Sequence, residues 1–456
     1  MHKLKLFNSM SNKKEEFIPI DSNNIRIYAC GPTVYNYAHI GNARMAVVFD
    51  FLVRLLRHMY PNVTYVSNIT DIDDKIIAKS IQENIPYEKI TNKFTKIYNE
   101  DMSELNVLKP DKQPRATEYI KSMIKKVQNL EQQGYAYESQ NHVLFRVKSF
   151  PKYGALSKRD KMKQVAGSRV EIAEYKENPA DFILWKPSKN NEPGWPSPWG
   201  RGRPGWHTEC FAMSEELLNM PFDIHGGGMD LKFPHHENEI AQACCYANKI
   251  DDATSYAKYW LHNGFVTVQD EKMSKSLHNF LLIRDCLKKY DAEVIRLSLL
   301  SSHYRSPLSW NENLLEQSKS ILIKFYKFLM ANSQVKVDKI ENIQLPDQIK
   351  EALFDDLNLA KVFSHLNAIL ASEKTCSNRD SVKKTKETIL KTASIIGILQ
   401  KKPSDWLESR KPKLNNEEMI KNLIKERNIL RKNKKFDKAD KIRDKLLDLG
   451  IKLNDT

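Results

Sequence analysis

Three stretches of this 456-residue chain hold residue types that could do chemistry at close spacing. Tyr28 to Arg44 reads YACGPTVYNYAHIGNAR, Pro234 to Gln242 reads PHHENEIAQ, and Lys272 to Ser276 reads KMSKS. In the first, Ile25, Ile27 and Ala29 alternate with polar or amphipathic neighbours as a half-buried strand would, and Gly31-Pro32 breaks the pattern. A helix is predicted from about Ile40, followed by a strand at Val63 to Val66. In such a strand-helix-strand unit the helix start offers N–H groups and a partial positive charge to an anion, and Gly41 lets a ligand approach the backbone. Alone, His39-Ile40-Gly41-Asn42 is a short pattern, and a histidine at a helix start is usually only a cap. In the second stretch His235 and Glu239 lie four apart, so one helix face carries both, whereas His236 has Ile240 four residues on and no such partner. A His and Glu at this spacing are more often hydrogen-bonded to each other than ligands of a metal. A lysine-rich turn, equally, is usually a solvated loop.

The elements that must position these residues follow in order. Ser67 to Lys75 (SNITDIDDK) places polar groups at a strand's C-terminal end, where open α/β sheets bind ligands; a capped loop, with Thr70 or Asp71 starting the next helix, is a compatible reading. Helical sequence is predicted through Ile76 to Leu105 and Ala116 to Gln133. From Gly134 to Gly205 the texture becomes short alternating runs and turn formers, as in an inserted loop-rich domain. Strand and helix patterns resume at Trp206, with a strand at Phe222 to His225, a turn at Gly226 to Gly228 and a helix starting at Pro234. Phe265 to Val268 is a strand leading towards Lys272. Beyond Asp291 the chain reads as mostly helical. It ends in a basic hairpin with one apolar stripe at Ile420, Leu423, Ile424 and Leu430 and a second at Phe436, Ala439, Ile442 and Leu446.

Composition narrows the class. The chain carries 72 Lys+Arg against 57 Asp+Glu, a net +15, which suits a polyanionic partner or reflects the base composition of the source genome. No apolar run reaches the roughly eighteen residues needed to cross a bilayer, and the first residues lack a signal-peptide core. The expectation is a cytoplasmic protein without membrane association. Six cysteines in so long a chain are thiols or metal ligands rather than a disulfide framework.

Taken together, HIGN and KMSKS resemble the paired motifs of class I aminoacyl-tRNA synthetases, with Asn42 where the first motif usually has a second histidine. The resemblance implies an α/β fold: a split Rossmann-type nucleotide-binding domain (1–133 and 206–265) interrupted by a connective insertion (134–205). A KMSKS loop and linking fold (266–310), an α-helical bundle (311–400) and a small C-terminal anticodon-binding region (401–456) would follow. Cys30 then closes the first strand of one half-fold and Cys210 opens the other, so both can face the central cleft. Two thiolates with His235 and Glu239 make a Zn²⁺ set that no local metal motif discloses.

YACGPTVY, HIGN, NITDIDDK, FILWK, SPWGRGRPGWHTEC, DIHGGGMDLKFPHHENEIAQ and KMSKS, in this order, resemble the cysteinyl-tRNA synthetase family over nearly the whole chain. The resemblance implies zinc on Cys30, Cys210, His235 and Glu239, one ion per chain, bound to the substrate sulfur. It implies that His39, Gly41 and Asn42 hold ATP, used with Mg²⁺, while Lys272 and Lys275 stabilise charge on its phosphates. Thr70, Trp206 and Asp230 would line the cysteine and adenosine pocket. The expected partners are tRNA(Cys), L-cysteine and ATP, with the chain acting as a monomer. Two other readings are a cysteine ligase that joins activated cysteine to an amino sugar in mycothiol synthesis, and a non-catalytic tRNA-binding relative. The long basic C-terminal part speaks against the first, the intact KMSKS and metal set against the second.

Overall fold

The computed structural model describes residues 3–158, 173–268, 271–272, 280–373, 378–408, 417–433 and 435–448. Its chain divides into two compact units, residues 1–322 with 335–399 and residues 323–334 with 400–456.

The first unit opens with a small hairpin, β1 (Lys5–Asn8) and β2 (Lys13–Glu16). The nucleotide fold begins with β3 (Ile25–Ala29), α1 (Ile40–Met59) and β4 (Val63–Ser67), in agreement with the periodicity of the sequence. Helix α1 is buried nearly all round, including Arg44 and Asp50, as a helix sandwiched inside a domain must be. Asp50 accepts from Arg54 Nε at 2.8 Å and also pairs with the fully buried Arg296. After β4 the predicted continuous helix is two, α2 (Asp74–Glu83) and α3 (Tyr87–Glu104). Asn84 ends the first in the left-handed conformation (φ 51°), and Pro86 cannot continue it.

A short 3₁₀ turn at Ala116–Tyr119 leads into α4 (Ile120–Gln132). The insertion is an antiparallel sheet in the order β5 (Ala136–Ser139), β6 (His142–Phe145), β7 (Phe182–Pro187), β8 (Gly202–Pro204). Phe145 and Phe182 stack across it at 4.9 Å, and Trp185 is fully buried.

The second half of the nucleotide fold consists of α5 (Trp206–Leu218), β9 (Phe222–Gly228), α6 (Glu237–Tyr246) and β10 (Ala257–Asn263). The central sheet is parallel, in the order β10-β9-β3-β4. Its order reverses between β3 and β9, so the C-terminal ends of these two strands bound the crevice where open α/β sheets bind ligands. Two expectations are corrected here. Gly226 to Gly228 is the end of β9, in register with Leu261 to Asn263, and not a turn; glycine is required because a Cβ at Gly226 would sit 2.1 Å from the Phe49 ring of α1. The helix expected from Pro234 becomes a regular α-helix only at Glu237: Phe233 is extended (φ −146°, ψ 131°), as a residue before proline tends to be, and a wide helical turn over Lys232–His236 leads into it.

Next come β11 (Val266–Val268) and β12 (Glu271–Lys272), paired antiparallel, then α7 (Ile283–Lys289), α8 (Ala292–Leu299) and β13 (Leu308–Trp310), which lies parallel to β11. Helix α9 (Glu312–Ala331) contributes its residues through Leu322 to this unit, joined there by α10 (Asp347–Phe354), α11 (Leu359–Glu373) and α12 (Arg379–Ile396). In the second unit Tyr326 stacks on Trp406 of α13 (Pro403–Glu408) at 4.3 Å. Helices α14 (Glu417–Lys432) and α15 (Phe436–Asp448) form the expected hairpin around Ile420, Ile442 and Leu446, with Leu423, Ile424 and Leu430 packed against them. Phe436, expected in the second stripe, is 56% exposed at the start of its helix.

Candidate metal centre and nucleotide cavity

Cys30 follows β3 directly, and its N–H donates to Gly226 O at 3.0 Å, so the strand pairing itself sets the thiol at the crevice. Cys210 projects from the first turns of α5, His235 from the irregular turn before α6, and Glu239 from α6 itself. Their ligand atoms lie within 4.8 Å of one another, and all four side chains are buried. The two sulfurs are 3.6 Å apart. A disulfide needs about 2.05 Å, whereas two sulfurs on one tetrahedral zinc, each about 2.3 Å from it, stand roughly 3.8 Å apart. Glu239 Oε1 is 3.1 Å from His235 Nε2 and 3.7 Å from Cys30 Sγ, which completes a compact N, O and S donor set suited to zinc. Burial holds His235 far below the usual imidazole pKa, so the ring is neutral and its lone pair available. Burial pushes both thiols up.

The surroundings of this cluster were not legible from residue spacing. His236, which has no helical partner, places Nε2 3.4 Å from Cys30 Sγ and approaches His262 Nε2 through Nδ1 at 2.8 Å. His225, in β9, meets Glu239 Oε2 at 2.9 Å, and the Tyr256 hydroxyl donates to the same oxygen at 2.9 Å. Oε2 is thereby held from two sides, which leaves Oε1 turned to Cys30 and His235. Cys30, His225, His236 and Glu239 form a second, overlapping donor group. Only the alternation of β9, pairing His225 with Tyr28, could have pointed to the crevice.

A cavity of about 730 Å³ opens from the cluster along the sheet's C-terminal edge. Thr70, Trp206 and Asp230 line it together with Cys30, Cys210 and His235, and His39, Gly41 and Asn42 belong to the same lining. Trp206 stacks on His235 at 4.2 Å while remaining 39% exposed. Thr70 donates to the buried Glu209 carboxylate at 3.1 Å. His39 is the N-cap of α1: its Nδ1 accepts from the N–H of Gly41 (3.1 Å) and Asn42 (3.3 Å), and the Asn42 side-chain oxygen accepts from the His39 N–H (3.1 Å). Asn42 thus closes a reciprocal capping box. Tyr35, Tyr37, Lys75 and Phe280 also line the cavity, and nothing in their spacing singled them out. The backbone of Lys272 pairs with Thr267 across the β11–β12 hairpin; Lys275 lies outside the described residues.

Residues 16–320 match the family model of the class I (C) tRNA synthetase catalytic domain. The chain is 47% identical over 455 residues to the cysteine–tRNA ligase of Parvibaculum lavamentivorans, covering 99% of this chain and 96% of that protein. It belongs to the cysteine–tRNA ligase family of class I synthetases. The Wolbachia pipientis cysteine–tRNA ligase is 45% identical over 458 residues, covering 99% and 98% of the two chains. Solved structures share the fold at low identity. Mycobacterium tuberculosis methionyl-tRNA synthetase with methionyl-adenylate superposes with a TM-score of 0.57 at 12% identity, over 82% of this chain and 89% of that one. The Agrobacterium radiobacter K84 LeuRS in its ternary complex with tRNA superposes with a TM-score of 0.61 at 9% identity, over 85% and 87%.

Proposed function

We infer that this chain activates L-cysteine with ATP to cysteinyl-adenylate, releasing pyrophosphate, and transfers the cysteinyl group to tRNA(Cys), releasing AMP. The observation that carries the choice of amino acid is the buried Cys30, Cys210, His235 and Glu239 cluster, three of whose members line the cavity, in a chain of this family. A zinc ion held by those four residues supplies a soft Lewis acid that favours a thiolate over a hydroxyl. In the first step a carboxylate oxygen of cysteine attacks the α-phosphate, the α–β bridging bond breaks, and pyrophosphate leaves. No protein nucleophile is needed, so the chain's task is alignment and charge stabilisation. Asp230 or Thr70 orients the amino group. The capped start of α1 lies along the ATP end, where His39, Gly41 and Asn42 hold the nucleotide, and Lys272 and Lys275 balance charge developing on the phosphates, with Mg²⁺. The α14–α15 hairpin meets the tRNA through its basic residues.

Pyrophosphate exchange into ATP, run with each amino acid separately, tests the reading together with charging of tRNA(Cys). Exchange is expected with cysteine and not with serine. Equal exchange with both would remove the metal cluster from amino-acid selection.

A further inference from the structure

Arg44 lies two residues beyond Asn42 on α1 and is completely buried, yet among the described residues its hydrogen-bond partners are carbonyls and one hydroxyl, with no carboxylate. Its Nη1 donates to the carbonyls of Gly264 (2.9 Å) and Phe265 (2.8 Å). Nη2 donates to the Ser302 hydroxyl (2.9 Å) and to the carbonyls of His303 (3.3 Å) and Ser306 (2.7 Å). Burial lowers the guanidinium only to about 10, so it remains a cation at neutral pH and its five hydrogen bonds are charge-assisted. These acceptors are placed with purpose. Gly264 and Phe265 connect β10 to β11, line the nucleotide cavity, and lead into the hairpin whose second strand carries Lys272. Residues 302–306 form the turn behind that connection: the Gly264 N–H donates to Tyr304 O at 2.8 Å, and a Cβ on Gly264 would lie 2.4 Å from Ser306 O. The same cavity is lined by His39, Gly41 and Asn42, at the capped start of the helix that bears Arg44. One planar, rigid fork therefore ties the first turns of this helix to the Gly264–Phe265 lining of the same cavity, and a lysine ammonium could not satisfy both groups of acceptors at once.

We propose that Arg44 is a positioning residue for ATP, setting the spacing between the capped start of α1 and the Gly264–Val266 wall so that the nucleotide fits between them. The proposal rests on the reading of this cavity as the site of ATP and cysteine. The cysteine end, at Cys30, Cys210 and His235, is positioned by other elements, so Arg44 should act on one ligand and not the other.

The test is equilibrium titration of the full chain with ATP and, separately, with cysteine, alongside metal content and thermal melting. Arg44→Lys is expected to weaken ATP binding at least tenfold, with cysteine binding within twofold of the parent and metal content unchanged. A lower melting temperature with both affinities intact, or equal losses in both, would overturn the proposal and leave Arg44 as a core residue. If Arg44→Lys does not fold, Ser302→Ala removes one acceptor outside the cavity; it should weaken ATP two- to fivefold with cysteine unchanged, and an unaltered ratio of the two affinities would overturn the proposal equally. Because ATP binding is read without turnover, a parent that binds ATP but fails to exchange pyrophosphate with cysteine counts against the proposed function and not against Arg44.

Discussion

Glu239 is asked to do two things with one carboxylate. Oε1 faces the metal donors, while Oε2 is fixed by His225 and Tyr256, both at 2.9 Å. Partners of this kind orient a metal ligand, and losing one commonly costs 10- to 100-fold in metal affinity. Tyr256→Phe should therefore speed release of zinc to a chelator about tenfold while leaving the donor set intact, and unchanged release would mean that His225 alone holds the carboxylate. Cys210→Ser acts on the ligands themselves. It should abolish stoichiometric zinc and weaken cysteine binding by at least tenfold more than serine binding; a folded, metal-free variant that kept the parent's preference would exclude the metal from selection. At this scale the sequence disclosed the residues with unusual chemistry but not their supports. His235 and Glu239 were visible because a helical spacing relates them, although His235 in fact precedes the helix. His225 comes from β9, His236 from the turn before α6 and Tyr256 from the residue before β10, and only the folded sheet brings the first two to Cys30 and the third to Glu239. His39 was legible both as a cap and as a cavity residue, and it occupies both positions.

The core elements declared themselves through periodicity: β3, α1 and β4 are buried on the faces that their apolar residues predict. Boundaries failed where local backbone geometry overrode composition, as at Asn84 with Pro86, and in β9, whose three glycines read as a turn but continue the strand. Gly226 is there because α1 packs so closely over β9, whereas a Cβ at Gly227 would meet Leu231 at 2.9 Å and one at Gly228 would meet Asp230 at 2.5 Å. Gly226→Ala would drive a Cβ into the Phe49 ring and towards Leu261 O, 2.8 Å away. Overpacking of this sort costs about 1–3 kcal/mol. Denaturant unfolding of Gly226→Ala should show that loss, whereas Gly134→Ala, where space is open, should show only the smaller cost of its positive φ of 79°. Equal stability of Gly226→Ala and parent would mean that α1 can lift from the sheet without penalty.

For the molecule as a whole, net charge pointed to a polyanion and the order of motifs to the split nucleotide fold, while the partition into units depended on contacts that no linear pattern encodes. The α14–α15 hairpin has its own small apolar core. Deleting residues 416–456 should leave cysteine-dependent pyrophosphate exchange within about twofold while lowering the efficiency of tRNA charging tenfold or more. Unchanged charging by the folded truncation would show that the hairpin is not an important tRNA contact. The proposed zinc site has a further consequence during synthesis. Cys30 and Cys210 are 180 residues apart, with the whole insertion between them, and His235 and Glu239 come later still. At about 5–20 residues per second, a ribosome needs roughly 10–40 s after releasing Cys30 to supply the last of the four donors. Until then the first thiol has no complete site to enter, so on the proposed zinc reading metal acquisition would report that both halves of the sheet have met, and a nascent chain arrested within the insertion should carry no zinc.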